Sequence, residues 1–303
     1  MSRCTKLSPG GNTTTNSTRF HYNNYIPGSG VNPVSFAIRR FKNRQSSFAP
    51  RLFNPPSNQC SSITRINLAD IAAPLPGPSG FWGLTADTTI PRCRILTMPN
   101  GNMLFTNGFS LTNNGVINLA TSYGMIVTGN SSLINNGIIN ATSSNDFGVD
   151  GLSELINNGI INTDSYFYCQ HGILTNNSIG RIIINTRDPY HTPGLDILTN
   201  GTFNNYGIFL NQGHFIIIET GIVNNYGTLT NADIIYNNNG VITNQGKIIN
   251  MTTIYNYNSG LITNNSTFNN NGVVNNADGT STCGIGTING TTAIPGVIGN
   301  LCP

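Results

Sequence analysis

Four acidic residues near the middle of the chain are the first candidates for chemistry: Asp146, Asp150, Glu154 and Asp164. Two or three carboxylates about 5–10 Å apart on one face can cleave a glycosidic bond by acid–base catalysis. No two of the four are separated by the length of the local repeat, so the repeat does not stack an acidic pair. Asp146 and Asp150 could share a corner loop. We interpret the four as solvated loop carboxylates and predict that the protein is not an enzyme.

The histidines His171, His191 and His214 are the next candidates. His171 and His191 are separated by the length of one coil and could stack, but a metal site needs a third ligand, which the sequence does not present. The pair Gly28 and Gly30 is too short for a phosphate-binding loop, and no helix pattern follows it. We therefore predict no metal and no cofactor.

The six cysteines show no CxxC or other metal-ligand spacing, and they are too sparse for a disulfide framework. Cys283 and Cys302 bracket the C-terminal tail and either close it as a loop or remain free thiols. No apolar run approaches the roughly 18 residues of a membrane span. The N-terminus lacks the apolar stretch of a signal peptide. The sequence thus predicts neither a membrane span nor export by the standard route.

An internal repeat must position all of these side chains. The segment 111–118, Leu-Thr-Asn-Asn-Gly-Val-Ile-Asn, recurs with small changes at 133–140 and 155–162. The glycines of the three copies, Gly115, Gly137 and Gly159, are evenly spaced. Related segments begin at Thr202, Ile222, Val241 and Leu261, with a slightly shorter spacing. A repeat of this length is typical of a solenoid.

Each repeat contains short runs of Ile, Val, Phe, Leu and Thr separated by Asn and Gly, which favours three short strands with corners. Stacked coils pair each strand with its equivalents about 4.8 Å away and bury a continuous apolar column. Helices are excluded, because good helix formers are few and Gly or Asn recurs every few residues. The fold class is therefore an all-β parallel β-helix of about 20–22 residues per coil, which we expect to be right-handed. Eight or nine coils between about 94 and 290 predict a rod on the order of 40 Å long.

The corners are assigned to Asn and Gly, because Asn-Gly adopts the positive φ angles of tight turns. Stacked asparagines should form ladders of side-chain amides, and the chain holds 49 asparagines. The predicted corner residues are Asn114, Gly115, Asn136, Gly137, Asn158, Gly159, Gly207, Gly227 and Gly246.

Charge is unevenly distributed in this lightly charged chain, whose charged residues make up 8%. Residues 1–100 hold eleven Lys and Arg against Asp70 and Asp87, whereas the remainder holds three against nine acids. Residues 1–60 are too poor in apolar residues for a core, so we predict an extended basic arm that docks on an acidic partner. A protein partner fits better than nucleic acid, because only the arm is basic. The predicted docking residues are Arg19, Tyr22, Tyr25, Ile26, Pro27, Gly28, Arg39, Arg40, Lys42 and Arg44.

The remaining boundaries follow from the ends of the repeat. Residues 61–93, with Trp82, are predicted to cap the N-terminal end, residues 94–278 to form the β-helix, and residues 279–303 to cap the other end, since open ends expose strand edges. The stretch 163–201 departs from the repeat and is expected to be an aromatic strand and a loop that project from one corner. Such projections often bind ligands, although a tolerated surface insertion is the simpler interpretation.

Two resemblances bear on function. The step from Tyr25 to Gly30, followed by the basic stretch that ends at Arg44, resembles N-terminal segments of virion proteins from large eukaryotic DNA viruses. The Asn-Asn-Gly repeats are similar to β-helical regions of viral fibres and spikes and of bacterial surface adhesins. These resemblances imply a structural component of a virion, located in the particle, with capsid or shell proteins or copies of itself as partners, as a trimer or a filament. The alternatives are a self-assembling surface filament or glycan-binding adhesin, and a polysaccharide-cleaving enzyme.

Overall fold

The structure is a computed structural model, which describes residues 60, 62–119, 122–142, 146–185, 194–277 and 280–290. The described residues form an all-β structure, and their one helical element is a 3-10 turn at Leu68–Asp70. None of them belongs to a helix that could cross a lipid bilayer.

The strands, numbered β1 to β32 in chain order, form three sheets. Sheet A contains β1 (Thr64–Ile66), β5 (Arg94–Thr97), β8 (Val116–Asn118), β11 (Ile138–Ala141), β14 (Ile160–Thr163), β17 (Arg181–Ile184), β20 (Ile208–Asn211), β23 (Thr228–Asn231), β26 (Lys247–Asn250), β29 (Thr267–Asn270) and β32 (Thr287–Asn289). Sheet B contains β2 (Ala72–Pro74), β3 (Phe81–Leu84), β6 (Met103–Phe105), β9 (Gly124–Val127), β12 (Asp146–Asp150), β15 (Tyr166–Gln170), β18 (Gly194–Ile197), β21 (His214–Ile218), β24 (Ile234–Asn238), β27 (Thr253–Tyr257) and β30 (Val273–Asn276). Sheet C contains β4 (Thr88–Ile90), β7 (Leu111–Asn113), β10 (Ser132–Asn135), β13 (Glu154–Asn157), β16 (Ile173–Asn176), β19 (Thr202–Asn205), β22 (Ile222–Asn225), β25 (Val241–Asn244), β28 (Leu261–Asn264) and β31 (Ser281–Cys283).

Each coil passes from sheet C to sheet A to sheet B and returns one step along the stack. Neighbouring strands pair in parallel, except β2, which pairs antiparallel with β3. The prediction of a parallel β-solenoid is confirmed, with about ten turns once the strands before residue 94 are included. Ten steps of about 4.8 Å correspond to a stack about 50 Å long. The handedness stays a prediction.

The core follows from the period of two along each strand. Inward residues stack on their equivalents in the next coil, as Leu111, Leu133 and Leu155 do, and these three are fully buried. The rings of Phe147 and Phe167 stack with centroids 4.5 Å apart. The hydrophobic effect therefore stabilises the contacts between coils rather than any one coil by itself.

The predicted asparagine ladders lie inside the stack, at the inward ends of strands. In sheet C, the Nδ2 of each ladder asparagine before the last donates to the Oδ1 of the next at 2.7–2.8 Å. It also donates to the backbone carbonyl of the first residue of the sheet A strand in the next coil, as Asn113 does to Ile138. Both N–H donors are thus satisfied without water, as a buried amide requires. The sheet C ladder comprises Asn113, Asn135, Asn157, Asn176, Asn205, Asn225, Asn244 and Asn264.

Two shorter ladders exist in the later coils. Sheet A carries Asn211, Asn231, Asn250 and Asn270, and sheet B carries Asn237, Asn256 and Asn276. The sheet B ladder begins against the apolar Ile217, and this leaves the Oδ1 of Asn237 buried without a hydrogen-bond donor.

The explanation predicted for the corner glycines is wrong. Gly115, Gly137 and Gly159, like Gly207, Gly227 and Gly246, lie at corners between sheets C and A, but none has φ in the left-handed region. Glycine is needed there because successive coils approach closely: a Cβ on Gly137 would lie 2.0 Å from the carbonyl oxygen of Gly115. The asparagines before the first three glycines, Asn114, Asn136 and Asn158, form an outer ladder of hydrogen bonds on the same corner.

Most non-glycine residues with left-handed backbone instead lie at the corner between sheets B and C, and Cys93, between sheets C and A, is the exception among the described residues. One or two non-glycine residues per coil adopt it there, and most of them are asparagine, which tolerates this conformation. They are Asn107, Asn130, Leu152, His171, Asn200, Glu219, Asn239, Asn258 and Ser259.

Strands of sheets A, B and C already occur within residues 61–93, the segment expected to be a cap, and β31 and β32 continue sheets C and A beyond residue 278. A disulfide links Cys60 to Cys93, which the cysteine spacing did not predict. Cys283 is also disulfide-bonded, so it is not a free thiol. The proposed arm, residues 1–60, and residues 291–303 lie outside the described residues except for Cys60.

The expectation that an aromatic strand within 163–201 projects from the stack is wrong, whereas the predicted loop, 186–194, lies outside the described residues except for Gly194. The aromatic strand β15 pairs in register with β12 on one side and β18 on the other, inside sheet B. Paired residues of β15 and β18, such as Tyr166 and Gly194, are 28 positions apart, so this coil is longer than its neighbours. Most of its extra residues lie between β17 and β18, largely outside the described residues, and two lie in the corner between β16 and β17.

Candidate functional site

Charged side chains are sorted among the three outer faces. In the described strands, the aspartates on outward positions of the central coils, Asp146, Asp150 and Asp196, all belong to sheet B, whereas the one strand glutamate, Glu154, belongs to sheet C. The Lys and Arg residues of the described strands belong to sheet A, and they are Arg65, Arg94, Arg181 and Lys247. Sheet B therefore presents an acidic face.

Two tyrosines lie at the centre of that face. Tyr168 pairs with Gly148, and a Cβ on Gly148 would lie 2.3 Å from the Cζ atom of Tyr168. The phenol of Tyr168 thus occupies the space that any side chain at position 148 would fill. Tyr166 packs beside it, with ring centroids 5.5 Å apart and an interplanar angle of 29°.

Three carboxylates surround these rings. Asp146 and Asp150 flank Gly148 on β12, while Asp196 is the partner of Tyr168 in the next coil. The Tyr166 hydroxyl donates a hydrogen bond to the Asp196 carboxylate. We name this group the sheet B cluster: Asp146, Asp150, Tyr166, Tyr168 and Asp196.

The cluster has a distinct electrostatic character. Desolvation by burial raises the pKa of Asp196 to about 7, although the hydrogen bond from Tyr166 opposes the shift. Burial, and then the charges of Asp150 and Asp146, raise the pKa of the Tyr168 hydroxyl. Burial and the charge of Asp196 likewise raise the pKa of Tyr166. Further negative charge is therefore disfavoured here, and a cation is favoured.

Aromatic side chains continue along the same face. Tyr236 packs against His214 with ring centroids 5.9 Å apart and stacks on Tyr255 at 5.3 Å. At the C-terminal end of β12, the Nδ1 of His171 lies 3.8 Å from a carboxylate oxygen of Asp150. Sheet B thus presents a strip of rings that is edged by carboxylates.

The residues predicted for chemistry separate in the structure. Asp146 and Asp150 join the sheet B cluster, Glu154 lies on the sheet C face, and Asp164 lies in the bend before β15. Sequence reasoning missed Asp196, because its alignment with Tyr168 depends on the longer coil, which a fixed repeat spacing does not reach.

The three carboxylates of the cluster are spaced along the strand and along the stack. Asp196 stands two strands from Asp146 and Asp150, about 10 Å along the stack. The Tyr168 side chain lies between them. Within the described residues, no group of three or more His, Cys, Asp or Glu side chains is placed to hold a metal ion. His191 and the ten docking residues predicted in the arm lie outside the described part of the chain.

Two depressions on the described surface lie away from the sheet B cluster. One is lined by Glu219, Asn238, Asn239, Asn258 and Ser259, and the other by Asn158, Asn177, Ser178, Ile179 and Tyr206. Both are open to solvent rather than enclosed.

The sequence matches no protein-family model, no curated protein and no solved structure. The fold and the sheet B cluster are therefore the basis for an inference about function.

Proposed function

We propose that the protein is a structural component of a large assembly, with a virion as its setting and the solenoid as a projecting or cementing rod. The basic segment 1–60 anchors the rod to capsid or shell proteins or to copies of the chain. In this proposal the protein has no catalytic role.

One observation carries the proposal: the sheet C ladder runs without interruption through eight coils, from Asn113 to Asn264. A buried amide ladder and three continuous sheets couple each coil to the next, and this suits a stiff element that bears load or spans a distance. Such a stack needs a means of attachment. Residues 1–60 hold eight Lys and Arg and no acidic residue, which supports their role as the anchor.

The test replaces four basic residues of the anchor in the full-length chain, Arg39→Gln, Arg40→Gln, Lys42→Gln and Arg44→Gln. We expect this arm variant to fold normally, and its far-ultraviolet circular dichroism should therefore match that of the native chain. Its incorporation into purified particles that contain the native chain should fall at least about tenfold. The control is Arg181→Gln and Lys247→Gln on sheet A. Normal incorporation of the arm variant would reject the anchoring role.

A glycan-binding surface filament or adhesin is the second candidate, and an exposed aromatic pair favours it. Tyr206 and Tyr226 stack on the corner between sheets C and A with ring centroids 4.6 Å apart, and they are 45% and 38% exposed. Exposed tyrosine rings beside amide side chains suit sugar binding. A glycan array with the native chain and Tyr206→Ala tests this candidate. Binding that the substitution abolishes would favour the adhesin, and no binding on the array would remove it.

A further inference from the structure

The outer face of sheet B is complementary in charge to a segment of the same chain. Its central coils carry Asp146, Asp150 and Asp196 on outward positions, and the described strands of sheet B contain no Lys or Arg. The most basic stretch of the chain is Arg39-Arg-Phe-Lys-Asn-Arg44, in a segment that lacks acidic residues. Opposite charges that meet over a water-poor surface give both attraction and specificity.

We propose that the sheet B cluster is the docking site for the basic stretch 39–44 of a second copy of this chain. The inference rests on the proposed function, since it names the surface that the arm binds when copies assemble.

The spacing of the charges supports this occupant. Along one strand, Asp146 and Asp150 are four residues apart, which is about 13 Å. In an extended peptide, Arg40 and Arg44 are also four residues apart and point to the same side, with Lys42 between them. An extended peptide laid along β12 therefore places its two arginines at the two aspartates and its lysine near Tyr168.

The cluster offers the interactions that such cations prefer. Carboxylates accept paired hydrogen bonds from guanidinium groups. The rings of Tyr166 and Tyr168 supply faces for a cation–π contact, which is strengthened where water is partly excluded. A cation near Asp196 also favours ionisation of that carboxyl group. A neutral ligand such as a sugar would bring no positive charge to the three carboxylates.

The chain between the basic stretch and the first strand is long enough to reach a neighbour. Fifteen residues, 45–59, separate Arg44 from Cys60. Fully extended, they span at most about 50 Å. This distance matches the length of the whole stack, so a copy packed beside the first lies within reach.

The experiment uses three full-length chains: native, the arm variant defined above, and a face variant with Asp146→Asn, Asp150→Asn and Asp196→Asn. Sedimentation velocity at low salt measures self-association of each. We expect the native chain to associate in a concentration-dependent way, and each variant alone to do so at least about tenfold more weakly. An equimolar mixture of the two variants should regain association, because one supplies an intact arm and the other an intact face. A Glu154→Gln chain, altered on the sheet C face, should behave as the native chain does.

A second measurement covers the case in which the face variant does not fold. Fluorescence anisotropy measures binding of a labelled peptide of residues 35–48 to the full-length arm variant, alongside a peptide with glutamine at the four basic positions and a neutral hexasaccharide. The basic peptide should bind with an affinity that falls as salt rises, and Tyr168→Leu should weaken it about fivefold or more. Binding of the hexasaccharide alone, equal binding of both peptides, or a mixture that fails to regain association while each variant is folded would overturn the proposal.

The anchoring role of the arm and the docking surface on sheet B can be rejected independently. If the arm variant is not incorporated into particles but the peptide does not bind sheet B, the anchoring role stands and the docking surface is wrong. If the peptide binds sheet B but the arm variant is incorporated normally, the docking surface stands and the anchoring role is wrong.

Discussion

The coils up to β18 and the coils from β19 onward follow the same path through three sheets but are held together differently. In the earlier coils, only sheet C carries an inner amide ladder, and the matching positions of sheets A and B are mostly apolar, for example Ala141, Ile184, Val149 and Ile197. In the later coils, sheet A from Asn211 and sheet B from Asn237 carry ladders as well. The earlier coils are therefore held by apolar contacts and one inner amide ladder, and the later coils by up to three inner ladders.

The difference is visible in the coil lengths. Paired residues are 19 or 20 positions apart throughout the later coils, but between 19 and 30 positions apart in the earlier ones. An amide ladder needs each Nδ2 within hydrogen-bond distance of the next Oδ1. Every corner that joins the sheet C ladder to the sheet A ladder has two residues, whereas the corner after Asn176, which leads to the apolar strand β17, has four. Apolar contacts are not directional and tolerate a longer corner. The long coil places most of its extra residues between β17 and β18, at a corner flanked by no inner ladder.

The largest expected effect comes from breaking the sheet C ladder where all three ladders coexist. Asn225→Leu removes an amide that accepts from Asn205 and donates to Asn244 and to the Lys247 carbonyl. The orphaned groups should lower the free energy of unfolding by about 3–5 kcal/mol. Equilibrium unfolding in urea measures the change. Asn224→Leu, on the outer side of the same strand, is the matched control. An equal loss of unfolding free energy in this variant would show that the inner ladder contributes no more to stability than the outer amides do.

An inserted residue should distinguish the two regions directly. One glycine placed after Ala232 enters the corner between Asn231 and Asn237, where two ladders meet, and should cost about 2–3 kcal/mol in lost hydrogen bonds. One glycine placed after Asp164 enters the equivalent corner of an earlier coil and should cost about 1 kcal/mol or less. Thermal unfolding followed by circular dichroism gives both values. If the two insertions are equally damaging, ladders do not fix coil length.

Position within a ladder should matter as well. Asn256→Ile interrupts the sheet B ladder between Asn237 and Asn276, and we expect a loss of about 2–3 kcal/mol. Asn237→Ile removes an Oδ1 that already lacks a donor and extends the apolar column above Ile217, so its cost should be below about 1 kcal/mol. Urea unfolding of the two variants under one set of conditions tests the order. The opposite order would mean that Asn237 is satisfied in solution.

The sequence predicted those features of the structure that follow from the repeat spacing, and it missed those that arise only when the coils stack. The repeat around Gly115, Gly137 and Gly159 was sufficient for the solenoid and for stacked asparagines, because equal spacing fixes which residues pair. It could not give the reason for those glycines, since the close approach of two coils is a property of the stack. The sheet B cluster was predicted only in part. Asp146 and Asp150 are close in sequence and share a strand, but Asp196 joins them only because the longer coil aligns it with Tyr168.

The smallest expected effect is a pH dependence of stability that comes from the carboxyl group of Asp196 in the earlier coils. The amide ladders contribute none, because amides do not titrate in the physiological range. The folded-state pKa of Asp196, about 7, lies above the ordinary value of 3.8, so the folded protein binds this proton more tightly than the unfolded chain does. The bound proton on Asp196 therefore stabilises the folded state. This stabilisation is complete below pH 3.8 and is lost as the pH rises through 7.

Asp196→Asn should remove this dependence, since the amide stays neutral at every pH while keeping a similar shape. The native chain should lose about 1–2 kcal/mol between pH 5 and pH 8 relative to the variant, a range that allows for the partial solvent exposure of the carboxyl group. Urea unfolding at several pH values measures the two profiles, and Glu154→Gln controls for the loss of a surface carboxylate. Parallel profiles for the native chain and Asp196→Asn would show that the carboxyl group is well solvated. The sheet B cluster would then carry full negative charge at neutral pH, and its attraction for a basic segment would change little across this range.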